Sequence, residues 1–107
     1  MTEKERHEIK AKLIELGFWG TDEAGDPTAD RRDALTLYNR ATERLAKGAG
    51  LYSTGLTVIS RSRKIEVKRG ESIYRLADGA NFPEAICLAA LAIPEFLKRH
   101  PECAAQK

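Results

Sequence analysis

Over residues 81–100 the chain reads NFPEAICLAALAIPEFLKRH, and every side chain from 85 to 93 is apolar. A surface helix carries polar residues at regular intervals, so a helix without them is buried on all sides. The pattern predicts the central element of a small core, with the earlier segments laid over it. Asn81 and Glu84 have capping-box spacing ahead of Phe82 and Pro83, an arrangement that satisfies the free N–H groups of a helix start. Pro94 removes an N–H and crowds the preceding turn, which predicts either a kink or a new short helix.

Two upstream stretches share the helical period. Thr2 and Glu5 again have capping-box spacing, and residues 3–16 place Ile9, Leu13 and Leu16 on one face, with Gly17 as the stop. Phe18 and Trp19 follow directly and are expected to pin the chain reversal. A second helix is predicted to start at Asp26-Pro27 or Thr28 and to run to Lys47, ended by Gly48 and Gly50. Its stripe is Ala34, Tyr38, Ala41 and Leu45, flanked by Leu37.

After Leu51 the pattern alternates, predicting strands over 56–61, 64–68 and 72–77. A two-residue turn at Arg69-Gly70 sets Val67 opposite Ser72 and Ile65 opposite Tyr74; a tight turn around Arg61-Ser62 sets Ile59 opposite Lys64 and Val58 opposite Ile65. Both turns put Leu56, Val58, Ile65, Val67, Tyr74 and Leu76 on one face. The predicted fold class is α+β: two N-terminal helices, a three-stranded antiparallel meander and a buried C-terminal helix, ααβββα. One domain is expected over 1–101, with a flexible tail over 102–107.

Composition narrows the setting. A chain of 107 residues, 42% apolar and 32% charged, is that of one soluble globular domain. A net charge of +2 is too mild to demand a polyanionic partner. Cys87 and Cys103 would stand roughly 24 Å apart along a continuous helix, too far for a disulfide, so a reducing cytoplasm is the expected compartment. The opening MTEKERHEIK lacks a signal peptide's apolar run, and the 85–93 run is about half of what spans a bilayer, so no membrane association is expected.

Chemistry is hard to find. His7 and His100 lie near opposite ends of the chain, and Gly48, Gly50 and Gly55 do not form a phosphate loop. Asp22, Glu23 and Asp26 lack the ligand order of a calcium loop. The expectation is a protein that is not an enzyme and has neither metal nor cofactor. Binding is better supported. Arg61, Arg63, Lys64, Lys68, Arg69 and Arg75 outnumber Glu66 and Glu71 in the strand region, making these six the candidate partner-binding residues. Such charge can neutralise phosphates, but no aromatic side chain accompanies it on the polar face to stack a base. A protein partner is therefore expected, with direct nucleic-acid binding through the basic strands as the alternative. Asp22, Glu23, Asp26, Asp30 and Asp33 form an opposing acidic cluster, and a bipolar surface suits charge-complementary contact. The apolar 85–93 stretch exceeds what one small domain needs. Trp19, as a bulky contact hot spot, is a candidate interface residue, and Ile93, Phe96 and Leu97 are candidates for a homodimer or partner interface unless the monomer covers them itself.

Two stretches resemble known families. SIYRLADGANFPEAICLAALA, residues 72–92, is similar to the strand, Gly turn and E-A-I-x-x-A-A helix of many small phage and prophage accessory proteins, among them anti-CRISPR proteins. The resemblance, over about a fifth of the chain, implies a non-catalytic inhibitor that occludes a host protein or nucleoprotein complex. Leu16-Gly17-Phe18-Trp19, Ala34-Leu35 and Ala49-Gly50-Leu51 resemble the spacing of peptidoglycan-binding domains, although Tyr38-Asn39 stands where that family has Phe-Gln, and strands replace its last helix.

Overall fold

A computed structural model describes residues 2–47, 57–61, 63–69 and 71–100. The predicted helix stops Gly48 and Gly50, the strand residue Leu56, Cys103 and the 102–107 tail lie outside the described residues. The elements are α1 (Glu3–Glu15), α2 (Arg31–Lys47), β1 (Thr57–Arg61), β2 (Lys64–Arg69), β3 (Ser72–Asp78) and α3 (Phe82–Arg99), giving the expected ααβββα order.

α1 opens with the full capping box: the Thr2 hydroxyl accepts from Glu5 N–H and the Glu5 carboxylate reaches back to Thr2. It ends where Gly17, at φ +83°, donates to Ile14 O while Phe18 N–H bonds Leu13 O. These are the paired bonds of a Schellman motif, which requires the left-handed conformation glycine adopts without strain. The chain then turns Phe18 and Trp19 inward, and both are buried.

α2 starts later than predicted. Asp26 uses its carboxylate locally, accepting from the Thr28 N–H and hydroxyl, and its carbonyl accepts from Ala29 and Asp30 N–H. Pro27 is buried in that separate turn rather than in the helix. Asp30 caps α2, accepting from the N–H groups of Arg32 at 2.7 Å and Asp33 at 3.3 Å.

The sheet is an antiparallel meander in the order β1-β2-β3. Its register departs from expectation in both hairpins: Ile59 faces Glu66 rather than Lys64, and Val67 faces Tyr74 rather than Ser72. Each turn falls one residue later, so each partner shifts by two. Side chains alternate with a period of two, and the shift therefore leaves the face assignments intact. Ile65 and Val67 are buried, while Tyr74 and Leu76 are half-buried beside them. Ile65 pairs with Ala77 but Glu66 with Arg75, leaving Leu76 as the extra residue of a bulge.

α3 packs against α1, α2, β2 and β3. Ala85, Ile86, Cys87, Ala89, Ala90 and Ile93 are buried, and Leu88, Leu91 and Ala92 half-buried, so its first turns are enclosed as their composition requires. The helix runs through Pro94, and its exposed side chains fall from Pro94 onward, at Pro94, Glu95, Lys98 and Arg99. At its start Asn81 caps Glu84 N–H at 2.9 Å, and the Glu84 carboxylate bonds Ala80 N–H rather than closing back on Asn81. Gly79 lies so close to this first turn that a Cβ there would stand 2.5 Å from Ala85 N. Its own N–H donates to Arg63 O at 2.9 Å, tying the entry to α3 to the β1–β2 turn.

Candidate functional site

The basic residues divide between two surfaces. Lys64, Lys68 and Arg75 are exposed, and the register puts them on the sheet face opposite to Ile65 and Val67, although Arg75 at the edge strand also lines a small groove with Glu95 and Arg99 of α3. These strand residues are interleaved with acids: Glu66 stands opposite Arg75 in the register, and Arg75 Nη1 lies 3.4 Å from Asp78 Oδ2. Ile73, opposite Lys68, is 52% exposed on the same face. Arg61 pairs with Lys64 and Arg69 with Ser72 at the strand ends, but their side chains lie outside the described residues.

Arg63 is separated from that face by the turn. It joins Arg31, Leu35 and Tyr38 of α2, Ser60 of β1 and Phe82 of α3 around an open groove of about 610 Å³. The floor is aromatic, with the Tyr38 and Phe82 ring centroids 6.1 Å apart and the Arg31 guanidinium 6.0 Å above the Phe82 ring. Leu35 contributes an apolar wall, 48% exposed. The Gly79–Arg63 hydrogen bond is what carries the turn to the start of α3 and so assembles the groove. Among the described residues neither Arg31 nor Arg63 has a carboxylate partner, whereas Arg40, Arg75 and Arg99 each pair with one. Of the described lining residues, Arg63 is among the basic candidates the sequence suggests, and the other five are not. Their one signal was the set Arg31, Leu35 and Tyr38, which recur on one side of a helix and put an exposed leucine off the core stripe.

A second group of arginines is bound into the α1–α2 connection. Arg40 makes a two-pronged pair with Glu23, at 2.8 and 2.6 Å, donates to Phe18 O at 2.9 Å and lies 4.8 Å over the Trp19 ring. Arg44 donates to Leu16 O at 2.6 Å, meeting a carbonyl left free at the end of α1, and covers the Phe18 ring at 4.0 Å. The Arg40 hydrogen bonds, with help from Gly20 N–H, pull the Glu23 carboxyl from its ordinary 4.5 down to about 2. The predicted acidic cluster is largely engaged in this framework: Asp26 and Asp30 cap turns, and Asp33 accepts from Asp26 N–H at 2.8 Å.

The apolar interface candidates lie mainly in the monomer's own core. Trp19, Ile93 and Phe96 are buried, and Leu97 is half-buried. Phe96 packs with Tyr74 at 5.5 Å and with His100 at 4.8 Å, which closes the end of the core. The excess apolar surface of α3 is thus covered within one chain. Among the described residues Trp19 Nε1 is buried without a hydrogen-bond partner, and the overlying Arg40 covers the ring.

Burial pushes the Cys87 thiol up to about 12, with a smaller contribution from Asp26, so at neutral pH it carries essentially no thiolate. His7 is exposed on α1, and His100 packs its ring against Tyr74 and Phe96. Among the described residues no cluster of three or more His, Cys, Asp or Glu could hold a metal ion, and no helix is long and apolar enough to cross a membrane.

Compared with known proteins, this α+β domain matches no family model, no curated protein and no solved structure.

Proposed function

We propose that the protein is a non-catalytic binder that acts by stoichiometric contact with a protein partner through the open face of its sheet. The observation that carries this is the make-up of that face: exposed Ile73 stands among Lys64, Lys68, Arg75, Glu66 and Asp78, while among the described residues the buried side chains of β2, Ile65 and Val67, lie on the other face. An apolar centre within a polar, charged border is the anatomy of a modest protein interface. Charges of both signs fix register and speed encounter. The same mixture counts against long stretches of nucleic acid on this face, because phosphates passing Lys64 and Arg75 would also meet Glu66 and Asp78. The likeness of residues 72–92 to small phage accessory proteins supports a host nucleoprotein complex, of the kind anti-CRISPR proteins occlude, as the partner. That setting is the cytoplasm of the host cell.

Affinity capture from host lysate, with and without nuclease, tests the proposal. Wild-type protein should retain a partner in one-to-one ratio after nuclease treatment, and the double variant Ile73→Asp, Lys68→Glu should lose it. A partner retained by that variant, or released by nuclease alone, would overturn it.

A further inference from the structure

The groove beside β1 is a surface distinct from the open sheet face, since Ser60 pairs with buried Ile65 and so belongs to the helical side of the sheet. Its volume of about 610 Å³ is that of a small-ligand site. Two features set its chemistry. The first is charge: Arg31 and Arg63 both line it and, among the described residues, neither is neutralised by a carboxylate. Guanidinium groups are weakly hydrated, planar donors whose fork matches the oxygens of a phosphate. The second is the floor of Tyr38 and Phe82 with the Leu35 wall, a surface that accepts the flat face of a ring. An anion alone would use only the first feature and an aromatic molecule alone only the second.

We infer that the Arg31/Arg63 groove binds a nucleotide unit, its phosphate held between the two guanidinium groups and its base laid against Leu35, Tyr38 and Phe82. Base stacking on aromatic side chains tolerates every base, so the site reads the class of ligand rather than a sequence. The open form of the groove admits either a free mononucleotide or one residue of a single strand passing through. The chemistry recognised is the same in both cases.

Chemical-shift titration of isotope-labelled protein separates these sources. AMP and a short oligodeoxyadenylate should both move the amide signals of Arg31, Leu35, Tyr38, Arg63 and Phe82. Inorganic phosphate and adenosine, each carrying half of the ligand, should bind far more weakly. An oligonucleotide affinity more than about tenfold above that of AMP, falling steeply with added salt, identifies a single strand as the source. Equal or tighter binding of AMP identifies the free nucleotide. Arg31→Ala and Arg63→Ala should each weaken the tighter ligand by about tenfold or more, the effect of losing a charge-assisted partner. Leu35→Glu should do so by replacing the apolar wall under the base with a carboxylate that can also pair with Arg31 one helical turn away, whereas Lys68→Glu on the other face should not. All four positions are exposed, and an otherwise unchanged amide spectrum confirms that each variant folds. The proposal is overturned if neither AMP nor the oligonucleotide moves the groove signals, if phosphate alone binds as well as AMP, or if both arginine variants keep wild-type affinity.

Discussion

Arg40 and Arg44, in the second half of α2, resemble Arg31 and Arg63 in residue type but differ in what surrounds them. Arg40 has a carboxylate, a backbone carbonyl and an aromatic face; Arg44 has two carbonyls and another aromatic face. Arg31 and Arg63 have an aromatic floor beneath them and no carboxylate among the described residues. The first pair closes the connection between two helices, and the second lines an open groove. A guanidinium over a ring is therefore not in itself a sign of function. What separates the two uses is whether the remaining donors are already satisfied within the chain.

The largest effect that separates these regions should come from the rings and apolar groups themselves. Phe18, beneath Arg44, is fully enclosed, and Phe18→Ala should lower the unfolding free energy by about 3–5 kcal/mol in urea titration. Leu35→Ala, on the groove wall, should cost under about 0.5 kcal/mol. A comparable loss at both positions would mean that the groove wall is core. Next in size is Gly79→Ala, whose Cβ would press on the backbone of Ala85 and should cost about 1–3 kcal/mol by the same measurement. It should also disturb the amide signal of Arg63, because the Gly79 N–H is what holds that turn. A neutral Gly79→Ala would separate the groove from the entry to α3.

The arginines themselves should then divide. Arg40→Ala removes a carbonyl bond and the cover over Trp19, together about 1–2 kcal/mol after allowance for its partial exposure. Arg31→Ala and Arg63→Ala should stay within about 0.5 kcal/mol of wild type. Thermal unfolding of the three variants side by side checks the ranking, and a destabilised Arg31→Ala would move that residue into the structural group.

The division explains what was legible in the sequence. The order of elements and the faces of the sheet were readable, because apolar alternation fixes parity and parity survives a shift of two residues. The register was not, since Ser62-Arg63 turns as readily as Arg61-Ser62 and the faces come out alike. The bulge at Leu76 was hidden for a related reason: Leu76 and Ala77 are both apolar, so either suits the core face. The start of α2 was misplaced because Asp26-Pro27 and Asp30 are both valid helix openings, and only the capture of Asp26 by Thr28 decides between them. The basic strand residues could be listed from the sequence, but their neighbours could not. The groove needs Arg31 and Arg63, 32 positions apart, to meet across a turn held by Gly79. No local pattern encodes that meeting.

The smallest effect is the most direct probe of what distinguishes the two pairs. Glu23 is held at about 2, first by the Arg40 hydrogen bonds and then by Gly20 N–H, against an ordinary value of 4.5. A carboxyl whose folded value is depressed binds its proton more readily in the unfolded chain, so its contribution is complete above the unfolded value and fades as pH falls toward the folded one. Stability should therefore begin to decline below about pH 4.5 through this group, with the loss complete only once the pH has fallen below about 2. Following the Glu23 side-chain carboxyl carbon by NMR should give a midpoint near 2 in the wild type, moving toward 4.5 in Arg40→Ala and staying in place in Arg31→Ala. A midpoint that ignores Arg40 would assign the shift to the Gly20 N–H instead. Arg40 would then differ from Arg31 by its carbonyl and its tryptophan alone, and neutralisation by a carboxylate would no longer be what distinguishes a structural arginine in this fold from an available one.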